Sequence, residues 1–69
     1  MDDSTIAELK VFFAGILLPD KIEIYPGTSI VDIPLFLKTQ FTIVENGSPV
    51  VQRPAFERLV RLRELLSNP

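Results

Sequence analysis

Asp32-Ile33-Pro34-Leu35-Phe36-Leu37-Lys38-Thr39-Gln40-Phe41-Thr42-Ile43-Val44-Glu45-Asn46-Gly47 is the stretch whose reading decides the fold. As a helix, it is capped by Asp32, carries Pro34 in the first turn where the missing amide costs little, and is stopped by Asn46-Gly47. Ile33, Phe36, Leu37, Phe41, Ile43 and Val44 then share one broad face, with Lys38, Thr39, Thr42 and Glu45 on the other. A hairpin over residues 41–52 is the competing reading. Phe41-Thr42-Ile43-Val44 is rich in strand formers, Asn46-Gly47 is a strong hairpin turn, and Val50-Val51 supplies a returning strand. Pro49 cannot donate to a ladder and the helical pattern is the longer, so a mainly α fold is favoured, with α+β as the alternative.

On the N-terminal side, Thr5-Ile6-Ala7-Glu8 fits a capping box, and Ile6, Leu9, Phe12, Phe13, Ile16 and Leu17 fall on one helical arc. The spacing predicts a helix from about Thr5 to Leu17, ended by Leu18-Pro19 because the proline ring disfavours the α conformation before it. From Asp20 to Ile30 the period shortens. Ile22 and Ile24 alternate with Lys21, Glu23 and Tyr25, and Pro26-Gly27 suits a type II turn. This segment reads as an extended strap whose isoleucines point inward, and as a strand only if something pairs with it.

On the C-terminal side, Pro54 marks the start of a third helix with a stripe of Ala55, Phe56, Leu59, Leu62 and Leu66. Residues 47–53 are then the longest connection. The expected architecture is a compact three-helix domain over residues 1–69, ordered from about 5 to 66, with the strap between the first two helices.

Composition narrows the function more by exclusion than by motif. There is no His, Cys or Trp, so the side chains that most often do acid-base, thiol or soft-metal work are missing. A hydrophobic fraction of 46% with a net charge of −2 argues for a folded chain rather than a disordered one. A core this small leaves a stability margin of about 3 to 5 kcal/mol, which makes self-association an open route to further stability. The acidic start Met1-Asp2-Asp3 is unlike a signal peptide, and the apolar run Val11 to Leu18 is far short of the roughly 20 residues of a membrane span, so a cytoplasmic protein is expected.

The run Phe12-Phe13-Ala14-Gly15 with Leu18-Pro19, then Ile22 and Ile24, Ile30-Val31-Asp32, Phe36-Leu37, and Pro54 with Arg58-Leu59 resembles a family of small uncharacterised bacterial proteins found mainly in the Bacteroides group. The resemblance covers roughly residues 8 to 66. It implies a bacterial, intracellular setting and carries no catalytic residues over.

Two candidate surfaces remain. Arg53, Arg58, Arg61 and Arg63 make the last segment basic against Glu57 and Glu64, whereas residues 1–50 hold three lysines against seven acids. Clustered arginines suit phosphate, and Arg53, Arg58 and Arg61 are the candidate contacts of a nucleic-acid-associated protein. The i,i+4 spacing of Glu57 from Arg53 and Arg61 favours a solvated face of mutually paired charges, and a seven-residue connection is too long for a helix-turn-helix. The favoured surface is for protein: Phe56, Val60 and Arg63 on the third helix, with Tyr25 and Leu35 as further exposed candidates. Gln40, near the middle of an apolar arc, and Arg63, on an apolar flank, are misfits that either satisfy structural bonds or bind. Asp20 with Glu23, or Asp2 with Asp3, falls short of a calcium loop. The expectation is therefore a non-catalytic interaction module. Its partner is another protein or a second copy of the chain, with no cofactor, metal, membrane or small-molecule substrate.

Overall fold

The structure, a computed structural model, describes residues 2–27 and 30–67. In chain order it holds α1 (Asp3–Ala14), β1 (Lys21–Glu23), β2 (Ile30–Asp32), α2 (Ile33–Asn46) and α3 (Pro49–Ser67). The mainly α reading therefore holds, and residues 41–52, where the hairpin alternative was drawn, are the end of α2 and the start of α3.

The first helix starts and ends earlier than its spacing predicts. Its cap is Asp2, whose Oδ1 accepts from the Ser4 amide at 2.9 Å, so Thr5 already lies inside the helix. A carboxylate at this end also complements the helix dipole, which a threonine hydroxyl does not. At the other end Gly15 donates to Val11 O and Phe12 O, and the helix stops at Ala14. Gly15 is a poor helix former, and Pro19 bars continuation at Leu18, so the chain leaves at the glycine. Ile6, Leu9 and Phe13 are buried as expected, but Ile16 and Leu17 fall outside the helix and are exposed, Leu17 almost fully at 99%.

Lys21–Glu23 of the strap is a strand because something does pair with it; Ile24 to Gly27 bend and turn, and Thr28 and Ser29 lie outside the described residues. β1 and β2 form an antiparallel ladder in the register Lys21↔Asp32, Ile22↔Val31, Glu23↔Ile30, extended by Ile33 N–H donating to Asp20 O at 2.8 Å. Ile24 is buried and Ile22 half-buried, as their alternation implies. Gly27 has φ +79°, the left-handed conformation that a type II turn after Pro26 requires.

β2 runs directly into α2, and Asp32 serves both: its Oδ1 accepts from the Leu35 amide at 3.1 Å. The stop at Gly47 works by close approach. A Cβ there would sit 2.6 Å from Ile43 O and 2.9 Å from Val51 Cγ2, so only glycine lets the next helix turn back so soon.

That next helix begins at Pro49, five residues before the expected Pro54, and the connection is Gly47–Ser48 rather than seven residues. Ser48 O accepts from the Val51 and Gln52 amides and opens the first turn. Pro54 lies inside α3 and leaves Val50 O without its intrahelical donor; Val50 is 83% exposed, so water can take that place. α3 packs against both other helices. Leu9, Ile33, Ala55, Leu59 and Leu62 are fully buried around it, joined by Ile6, Phe13, Ile24 and Val44. Each of the larger side chains contributes about 1.5 to 3 kcal/mol by leaving water.

Candidate functional site

The arginines of α3 are occupied in different ways. Arg58 donates from Nη1 to Oε1 of the buried Gln40 at 3.2 Å, which gives that misplaced amide a structural partner. Arg61 donates from Nε to Ile24 O at 3.1 Å and stacks over the Tyr25 ring at 5.4 Å, pinning the hairpin to α3. Arg53 approaches Glu57 at 3.9 Å on an exposed face. Glu57 thus pairs with Arg53 as its spacing predicts, while the second predicted partner, Arg61, turns to the hairpin instead.

The five residues selected for a protein surface are separated by the fold. Phe56, Val60 and Arg63 share one flank of α3 and are all half-buried. Phe56 borders a depression of about 360 Å³ with Asp2, Thr5, Pro49, Gln52 and Arg53. Tyr25 belongs to Arg61, which lies about 100° to 160° around α3 from that flank. Leu35 stands on the first turn of α2, 62% exposed.

A surface the spacing alone did not reveal lies between α1 and α2. Lys10 pairs with Glu45, and the Phe13 ring meets Phe41 edge-on at 6.2 Å, so the chain ascends α1 while descending α2 and the two helices are antiparallel. Both border α3, and a furrow lies over the place where α1 and α2 meet. The Lys10–Glu45 ion pair spans it and divides it in two. Toward the C-terminal end of α1 the furrow measures about 490 Å³, with Phe13, Leu37 and Phe41 as its floor and Ala14, Lys38 and Thr42 on its walls. Toward the other end it measures about 400 Å³ and is more polar, bordered by Asp3 and Gln52 over Ile6 and Val44. Lys10 also places its ammonium 5.8 Å from the Phe41 ring centre. Both partners of the ion pair are about half-exposed, so the bridge stabilises by no more than about 1 kcal/mol and is readily displaced.

Beside this furrow α1 shows a further apolar residue, Val11, 73% exposed, with Ile16 and Leu17 just beyond the helix end. Val11 lay outside the apolar arc of α1, which was the available signal for an exposed apolar position. Val50, Val51 and Ile30 are also exposed and likewise fell outside the selected set. No helix among the described residues is long and apolar enough to cross a membrane.

A family described as Domain of unknown function (DUF6965) matches residues 4–68. No curated protein and no solved structure matches the chain.

Proposed function

The chain belongs to the DUF6965 family, a domain of unknown function, and from that premise we propose that it is a non-catalytic protein-interaction module that binds through the α1–α2 furrow. The observation that carries this reading is the furrow's floor, where Phe13, Leu37 and Phe41 line an open depression between two helices. Grooves between helices are a recurrent receptor for apolar side chains of a partner. The flank of α3 with Phe56, Val60 and Arg63 offers less, since all three residues are already half-buried in the fold. The alternative, a nucleic-acid-associated protein, loses support because Arg58 and Arg61 are engaged with Gln40 and Ile24. The sequence resemblance supports a bacterial, cytoplasmic setting of the Bacteroides type for this reading.

The test is affinity capture from a lysate of the source organism, nuclease-treated, with wild type and Ala14→Arg as parallel baits. Ala14 is exposed on the furrow wall, so the variant blocks the site without entering the core. A discrete protein retained by wild type and lost by the variant is expected. Retention of nucleic acid in an untreated sample, an identical protein set on both baits, or no retained protein contradicts the proposal.

A further inference from the structure

We infer that α1 is an exchangeable arm: two copies of the chain swap it, each seating its α1 on the α2–α3 pair of the other. The pointer is a mismatch between the apolar stripe of α1 and the place where the helix ends. Ile6, Leu9 and Phe13 are buried, and Ile16 and Leu17 continue their i, i+3/i+4 spacing. The helix nevertheless stops at Ala14, which leaves Ile16 exposed and Leu17 almost fully so. Two exposed apolar residues that extend a buried stripe past a bend are what a longer form of the same helix would use.

The bend itself is slight. Gly15 has φ −97° and ψ 1°, within about 45° of α-helical values in each angle. Its amide is already held by Val11 O and Phe12 O, and a Cβ there would meet nothing closer than Val11 O at 3.4 Å. Straightening Gly15 carries the helix on to Leu17, where Pro19 bars the α conformation at Leu18 and ends it. The arm then leaves residues 18–20 in a new direction, away from its own α2 and α3.

A released arm needs a seat. Leu9, Leu59 and Leu62 are fully buried in one cluster, so parting α1 from α3 exposes them to water. A second copy offers the same seat with the same contacts, which is why exchange of an element is a low-cost route to a dimer. Release is also easy, because α1 meets α2 through the half-exposed Lys10–Glu45 pair and the Phe13–Phe41 edge contact. What favours the exchanged form is Ile16 and Leu17, which pack where the two straightened arms pass each other. Lys10, Phe13 and Ala14 of one copy then face Leu37, Phe41 and Glu45 of the other, so the furrow is rebuilt and the inference stands whether or not another protein binds there.

The chain has no cysteine, which allows a direct test. Lys10→Cys and Glu45→Cys, both at half-exposed positions, are made in separate chains, one of them tagged, and refolded together at high concentration. A short bismaleimide should then join tagged to untagged chain, and sedimentation of the wild type refolded in the same way should show a dimer. Leu17→Asp should keep the monomer fold, since Leu17 is exposed there, and lose the dimer. Gly15→Ala, which favours the straight helix, should lower the concentration of half-dimerisation on the order of tenfold. A chain that stays monomeric after concentrated refolding overturns the inference. So does a dimer without cross-chain Lys10–Glu45 linkage, which would be an association of intact monomers, and so does a dimer that Leu17→Asp leaves unchanged. None of these outcomes touches the capture experiment with Ala14→Arg.

Discussion

The contact between α2 and α3 and the contact between α1 and α2 are built to opposite specifications. The first is closed. A two-residue connection turns the chain back at Gly47, with no room for a Cβ, and a buried amide and a guanidinium bond across the seam at Gln40 and Arg58. Gln52 adds a side-chain bond to Val44 O at 3.1 Å. The second is open. Its helices are joined by an aromatic edge contact and one half-exposed ion pair, over a depression that the described residues leave open. The tight seam holds the fold, and the loose one is where we propose that a partner binds.

The strongest way to break this comparison is to damage the helix that both seams share. Leu59→Ala or Leu62→Ala removes a fully buried side chain of α3 and should cost about 2 to 5 kcal/mol, most or all of the margin of so small a domain. Urea titration followed by circular dichroism measures it; a loss under about 1 kcal/mol would mean that α3 is not the central element. Next in size is Gly47→Ala, where the new methyl meets Ile43 O and Val51 and should cost about 1 to 3 kcal/mol. An unchanged midpoint would show that the tight seam is not tight.

Smaller again is the polar bond within that seam. Arg58→Ala leaves the Gln40 carbonyl oxygen without its partner and should cost about 1 to 2 kcal/mol, whereas Gln40→Leu combined with Arg58→Ala should recover much of the loss. A thermodynamic cycle over the two positions decides between a structural bond and an incidental one. At the bottom of the scale, Lys10→Ala should lower stability by no more than about 0.5 kcal/mol, less in high salt. A larger, salt-independent effect would place the open seam in the same class as the closed one.

The start of α2 was legible because Asp32 as cap and Pro34 in the first turn each have one good use, and its stop because the helical pattern outran the hairpin that Asn46-Gly47 also suits. The ends of the other helices offered two good uses, and local pattern chose the wrong one. Thr5 and Glu8 satisfy a capping box, yet Asp2 takes the cap, and an Asp2→Ala loss of about 1 kcal/mol beside a near-neutral Thr5→Ala would show which residue does the capping. Pro49 and Pro54 both suit a first turn. The earlier one wins because the carbonyl left unpaired by Pro54 belongs to a residue that faces solvent.

The strap is extended at Lys21–Glu23, as read, but its partner strand is three residues long and carries no alternation that distinguishes it. The furrow was illegible for a different reason. Lys10, Ala14, Lys38 and Thr42 are ordinary surface positions on two separate wheels, and only the antiparallel placement of those wheels puts them around one apolar floor. Arg61 is likewise unreadable locally, since its acceptor lies 37 residues away at Ile24.

That α1 rides on the α2–α3 pair by the weaker seam is the claim on which the furrow depends, and native-state amide hydrogen exchange on the chain alone tests it residue by residue. The account predicts that amides of Leu9 to Phe13 exchange through an opening of lower free energy than those of Leu59 to Leu62, which exchange only with global unfolding. Equal protection along all three helices would contradict it.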